Sequence, residues 1–426
     1  VPTARAATPA AALQAYLKGG TTVAGDRLGS SVAVAGDTAV VGMPYESSGA
    51  GGAYVYARTG STWTQQAHLQ AGNPEADDHF GVAVAIHGDT VVVSAPYEDS
   101  NATGVGGAET DNSSADSGAV YVFTRTGTTW SQQAYLKASN PGSGDEFGSA
   151  VSISGDTVAV GAFYEDSNST GVNSTPNEDG VDSGAAYVFT RSGTTWSQQA
   201  YLKASNPTGT FEDFMAFPPI FTYGDGFGTS VAVDGDTVVV GSPNESSADA
   251  GNQADENAGS AGAAYVFFRS GTTWAQQAYL KAGNIGAGDT FGIAVGISGE
   301  SVIVGANGED GNGVDGPTDE SASDAGAAYV FVRNGMAWSQ QDYLKASNPT
   351  GGMEDFNVSP PVFTYGDGFG AAVAIAGDTV VVGSQGESSS ATGLNGTQAD
   401  ESAATAGAAY VFGRSGTTWS QSDYLK

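Results

Sequence analysis

The chain of 426 residues contains no cysteine, so neither disulfides nor thiolate chemistry can hold it together or do its work. Basic residues are scarce: 14 Lys and Arg stand against 46 Asp and Glu, a formal charge of −32. Phosphate backbones need basic partners, so a nucleic-acid partner is excluded. An acidic excess of this size fits a calcium-rich or saline exterior, or plain colloidal solubility. No apolar run approaches the roughly 18 residues of a membrane-spanning helix. The start of the chain, "VPTARAATPAAA", lacks the basic-then-apolar pattern of a secretory signal. Histidine is nearly absent as well. His68, His79 and His87 fall where other copies of the repeat described below carry Tyr, Glu, Gly, Ser, Ala or Asp, which reads as tolerated surface substitution. No HExxH, GxSxG or Cys–His pair occurs. The chain therefore reads as a non-enzyme. A secreted hydrolase using repeated carboxylate pairs is the catalytic alternative.

What the chain has in abundance is repetition. Its six Trp residues, Trp63, Trp130, Trp196, Trp274, Trp338 and Trp419, each close a copy of one unit. The third copy reads "GDEFGSAVSISGDTVAVGAFYED", a loop, then "SGAAYVFTRSGTTWSQQAYLKA". Four β-rich segments bounded by turn residues stand out: "SAVSIS" and "TVAVGAF" around "GD", then "AAYVFTR" and "TWSQQAYLK" around "SGT". The second is apolar nearly throughout, as in a strand covered on both faces. The fourth alternates, placing Trp196, Gln198, Ala200 and Leu202 on one side.

Both hairpins have fixed lengths, as in Phe147 to Glu165 and Tyr187 to Trp196. Only two connections vary. The loop between the second and third strands runs from Glu46–Tyr54 to the longer Glu98–Tyr121. The crossover from fourth strand to next first strand is short in most units (Lys137 to Phe147) and long in two (Lys203 to Phe227, Lys345 to Phe369). In an up-and-down sheet both variable connections emerge at the same end. All length variation thus lies on one face, and invariant tight turns form the other. The expected fold is all-β, a six-bladed propeller of four-stranded antiparallel blades. A seven-bladed ring needing a blade not in this chain is the runner-up. The units fall approximately at 19–66, 67–133, 134–199, 200–277, 278–341 and 342–426, after an N-terminal segment, residues 1–18.

"FGSAVSISGDTVAVGAF" and "FGTSVAVDGDTVVVGSP" resemble FG-GAP repeats, the units of the integrin α-subunit propeller and of many prokaryotic surface proteins. The resemblance spans Asp26 to Lys426. It implies a propeller, an extracellular or cell-surface setting, and contacts made by the loop face. One departure matters. Calcium-binding members carry an Asp-rich loop between the first and second strands, which here shrinks to "SGDT", "DGDT" or "SGES", so that site is not carried over.

A different calcium site is open. Extending the first hairpin's register places Asp145 opposite Asp166 with Glu165 adjacent. The same rim holds Asp78, Glu98 and Asp99 in the second unit and Asp289, Glu309 and Asp310 in the fifth. Hard oxygen ligands in this pattern suit Ca²⁺. The alternative is that the Asp caps the amides of the crossover and the Glu pairs with the Lys of "YLK".

The two long crossovers carry apolar residues with no counterpart in the repeat. Phe211, Phe214, Phe217, Phe221 and Tyr223 lie in one, and Met353, Phe356, Phe363 and Tyr365 in the other, each beside a Pro-Pro pair. Stiff aromatic loops on an acidic face read as contact anchors. The bland alternative is that each packs over its own blade. Asn-x-Ser/Thr sequons occur at Asn101, Asn112, Asn168, Asn173, Asn244, Asn357 and Asn395, on loop-face connections or their edges. "LQAYLK" (residues 13–18) copies the end of a fourth strand although the last unit already has its own. It is expected outside the last blade or on another molecule's edge. The resulting expectation is an adhesion or assembly module that binds a surface protein or glycan, or itself; a lectin-like domain of a larger protein is the second reading.

Overall fold

A computed structural model describes residues 13–20, 22–209, 211–213, 220–222, 224–313, 319–355, 362–364, 366–398 and 400–426. Six four-stranded antiparallel sheets, each in simple up-and-down order, follow one another around a ring, forming a six-bladed β-propeller. The third blade is typical, with strands Ala150–Ser154, Thr157–Ala162, Ala185–Ser192 and Thr195–Leu202. First strands of successive blades lie side by side from the first blade to the sixth.

The turn "GD" joins paired Ser154 and Thr157, as the two-residue hairpin requires. Gly155 supplies the positive φ of 57° that this turn needs. Pairing runs inward only to Ala150 opposite Gly161. There Gly148, at φ 102°, bends the chain so that its N–H donates to Gly161 O. The register that would set Asp145 against Asp166 therefore does not extend to the rim.

The fourth strand also departs from simple alternation. Phe189 pairs with Gln198 but Val188 pairs with Ala200, so Gln199 is an extra residue in a β-bulge. A bulge switches the faces of the residues on either side of it. Trp196 consequently joins the core toward the second blade, while Ala200 and Leu202 join the core toward the fourth. The bulge recurs in all six blades.

Burial follows the repeat. Second-strand residues such as Val158, Ala159 and Val160 are fully buried, because a blade lies on each side. Five of the core clusters each join two adjacent blades, centred on a Phe such as Phe147 set edge-on to Tyr187 and Phe189. At the tight-turn end a clip crosses every sealed junction. Gln133 Oε1 accepts from Trp196 Nε1 (2.9 Å) and Arg191 Nη1 (3.2 Å) of the next blade. That Arg lies over Trp196, 5.0 Å from its ring, and pairs with Asp156 of its own hairpin turn at 2.7 Å.

Residues 13–18 do not lie outside the last blade. They are unpaired in any sheet and run against the first, where Tyr56 OH donates to Lys18 O and Arg58 to Gln14.

Candidate loop-face site

The acids expected at the rim are present, with their oxygens engaged. Glu165 is buried at the end of the second strand. It receives Lys203 Nζ at 2.9 Å, Tyr201 OH at 2.7 Å, Asn140 Nδ2 at 2.9 Å and the Ser167 N–H at 3.1 Å. Glu98 and Glu309 repeat the arrangement with Lys137 and Lys345. Glu245 and Glu387 do so with Lys281 and Lys426. Burial lowers the pKa of Lys137, Lys203, Lys281 and Lys345, and the paired Glu counters that shift.

Each rim Asp caps the crossover. Asp145 Oδ2 accepts from Gly142 N at 2.7 Å, Asp78 from Glu75 N and Asp289 from Gly286 N. Asp99, Asp166 and Asp310 each accept from a backbone N–H of the loop before the third strand. Burial pushes Asp78, Asp145 and Asp289 up to about 7 and Asp367 to about 6, and holds Asp225 well above the usual carboxylate range. Among the described residues no group of three or more His, Asp or Glu is placed to hold a metal ion. Carboxylates already occupied by Lys, Tyr and amide donors do not fit a calcium shell of six to eight oxygens.

Two of the three histidines have defined partners. His68 replaces the fourth-strand Tyr of the first blade, stacks on Tyr54 at 4.3 Å and bonds Glu46 at 2.7 Å, in the blade whose "YLK" lysine is replaced by Gln70. His79 is half-buried between Tyr45 (4.6 Å) and Tyr97 (5.0 Å), and burial lowers its pKa. His68 and His87 are exposed, as expected of surface substitutions, although His68 also has defined partners. His68 faces Tyr54 directly in the pairing of the third and fourth strands, whereas the rings around His79 are brought together across loops and residue spacing gave no sign of them.

The long crossovers each form a small hairpin separate from the blades. One pairs Phe211–Asp213 with Ile220–Thr222, the other Met353–Asp355 with Val362–Thr364. Phe211, Phe221, Met353 and Phe363 sit on these strands. Phe214, Phe217, Tyr223, Phe356 and Tyr365 lie outside the described residues. The feet of the hairpins are fixed by glycines against the preceding blade: a Cβ on Gly224 would fall 2.3 Å from Asp182 O, and one on Gly366 2.3 Å from Asp324 O. Both hairpins thus rise at blade junctions, third to fourth and fifth to sixth. At the second foot lies a depression of about 600 Å³, lined by Thr290, Asn307, Asp324, Gly366, Gln385 and Thr405 among others. The first foot has only about 130 Å³, because Phe163 and Tyr164 stand where the other has Asn307 and Gly308.

Of the sequons, Asn101, Asn112, Asn168, Asn173 and Asn395 are exposed and Asn244 is half-buried; Asn357 lies outside the described residues. Asn173 and Asn395 also cap the outer edge of a fourth strand, accepting the amides of Tyr201 and Tyr424. Among the described residues no helix is long and apolar enough to cross a membrane.

The FG-GAP repeat family model matches the chain five times, at residues 14–56, 63–123, 130–189, 222–267 and 274–331. No curated protein matches it.

Proposed function

The chain belongs to the FG-GAP repeat family, and from that premise we propose that it is an extracellular binding or assembly module whose loop face meets a protein partner or a neighbouring subunit. The observation that supports this most is the division of labour between the ends of the blades. Every length change, and both added hairpins, fall on the loop face, while the tight-turn face repeats one clip. Variable loops on a rigid repeat scaffold are where such folds place their contacts. The hairpins flank the fourth and fifth blades, and the larger depression lies at the foot of the second, so this sector is the contact. The exterior setting rests on the family, the acidic surface and the exposed sequons.

A specific observation favours glycan as the alternative ligand. Tyr45, His79, Tyr97 and Tyr164 gather on the loop face of the first three blades, and aromatic faces suit sugar rings.

Removing residues 210–223 and 352–365 restores the short crossover in both units. Sedimentation and negative-stain microscopy of wild type and deletion, with a glycan array, test the reading. Self-association or partner binding lost with the hairpins supports it. Binding retained by the deletion refutes it, and glycan binding abolished by Tyr97→Ala supports the alternative.

A further inference from the structure

Five junctions around the ring are sealed in one way. The residue before the "FG" glycine and its neighbour donate backbone N–H groups to the previous blade, as Glu146 does to Asp116 O (3.0 Å) and Phe147 to Ser117 O (3.2 Å). Thr290 and Phe291 repeat this on Ser260 and Ala261. Five hydrophobic clusters each combine residues of two adjacent blades. The cluster on the outward face of the first blade, Met43, Tyr54 and Tyr56, includes nothing from the sixth.

The seam between the sixth and first blades is unsealed, although both halves of a junction are formed. Arg27 (φ 55°) and Thr405 (φ 51°) hold the left-handed conformations of Glu146 (52°) and Asp116 (52°). Among the described residues no backbone hydrogen bond joins them or their neighbours Leu28 and Ala406. Val34 is 68% exposed where its equivalent Val233 is 7%. On the sixth blade, Val381 is half-buried where Ile303 is fully buried.

Two glycines show what the seam is shaped for. A Cβ on Gly161, Gly241 or Gly305 would fall about 2 Å from the "FG" carbonyl of the next blade. The sixth blade keeps Gly383 at this place, yet its Cβ would meet nothing nearer than Ala372 of its own sheet at 3.4 Å. A Cβ on Gly407 would likewise meet nothing nearer than Ser384 O of its own blade at 3.6 Å, where Gly118, Gly184, Gly262 and Gly326 touch the next Phe. The sixth blade has made room for an "FG" that is not there.

That "FG" is not the first blade's Leu28–Gly29, because the seat beside the first blade is already taken. Gln14 accepts from Arg58 Nη1 (3.3 Å) as Gln133 does from Arg191, and Leu17 joins the cluster of Met43, Tyr54 and Tyr56. Residues 13–18 therefore do the work of a preceding fourth strand. The family match supports this frame: 14–56 opens on Gln14 just as 63–123 and 130–189 open in fourth strands. The sixth blade's own fourth strand has Ser422 where the others have that Gln.

We infer that the seam is a docking surface for a three-stranded sheet carrying the first, second and third strands of a further FG-GAP repeat, which residues 13–18 complete as its fourth strand. Its "FG" seats on Gly383 and Gly407, and its third strand pairs with Leu13–Lys18. The surface lies at the ring's seam and does not depend on what the hairpins bind.

The test appends a second copy of residues 138–193, the crossover and three strands of the third repeat, after Lys426. The graft should resist proteolysis, slow amide exchange at Leu28 and Ala406 by about tenfold or more, and raise Tm by about 2–4 °C. Gln14→Ala with Leu17→Asp should remove these gains in the grafted protein. A graft digested as fast as a loose tail would overturn the proposal. So would direct closure of the ring: Val34→Cys with Ala374→Cys, in a chain with no other cysteine, should not crosslink in the ungrafted protein, and rapid disulfide formation would show that the sixth blade sits on the first.

Discussion

The two ends of each blade treat the same kinds of charge in opposite ways. At the tight-turn end, Arg191 pairs with an Asp156 whose side chain is 66% exposed; at the loop end, Lys203 pairs with a Glu165 that is 2% exposed. An exposed pair contributes little, and its Arg matters here through the ring and amide it touches in the next blade. A buried pair costs desolvation and survives only because every oxygen has a donor. The turn end thus joins blade to blade. The loop end locks the second strand to the fourth within a blade, and that lock permits the connections beyond it to vary.

Breaking the buried lock should do most damage. Glu165→Gln leaves the Lys203 ammonium without its counter-charge, and a loss of about 3–5 kcal/mol in urea denaturation is expected. A loss below about 1 kcal/mol would mean that the pair is solvated and the contrast between the ends is false.

The rim aspartates predict a pH dependence of unusual sign. Asp145 is raised from 3.8 to about 7 by burial, so the folded chain holds its proton more tightly than the unfolded chain. Its stabilisation is fully present below about pH 4 and is lost as pH rises through about 7. Tm should therefore fall from pH 5 to pH 8, and Asp145→Asn should flatten its share of that slope. Equal slopes in wild type and variant would show that Asp145 titrates normally.

Smaller effects belong to the turn end. Arg191→Ala removes the stack on Trp196 and the bond to Gln133, a cost of about 1–2 kcal/mol, while Asp156→Asn should cost less than about 1 kcal/mol. The reverse order would assign the clip to the ion pair and not to the ring. Smallest of all is the response to chelation. EDTA at low ionic strength should leave Tm unchanged, since the rim carboxylates are already occupied; a drop reversed by Ca²⁺ would contradict that assignment.

The blades were readable from the sequence because each strand and turn is local: "GD" spacing, apolar second strands and constant hairpin lengths suffice. The register held as far as Ala150 opposite Gly161 and failed at the rim, where Gly148 bends the chain. The bulge at Gln199 was hidden because neighbouring glutamines look alike; what selects it is Trp274 and Arg269 of the next blade. The rim Glu was read correctly in its second guise, as the partner of a "YLK" lysine, because both recur at fixed places. The location of residues 13–18 was missed since a copied strand end says what it resembles, not which face it covers. The hairpins were visible as insertions, but no repeat spacing sets Phe211–Asp213 against Ile220–Thr222 or Met353–Asp355 against Val362–Thr364.

The most direct test of the division between scaffold and contact face is the melting temperature of the chain lacking residues 210–223 and 352–365, compared with Glu165→Gln. If the hairpins are additions to a complete blade, the double deletion melts within about 2 °C of wild type while Glu165→Gln melts well below it. A deletion as unstable as Glu165→Gln would make the hairpins part of the core and contradict the account.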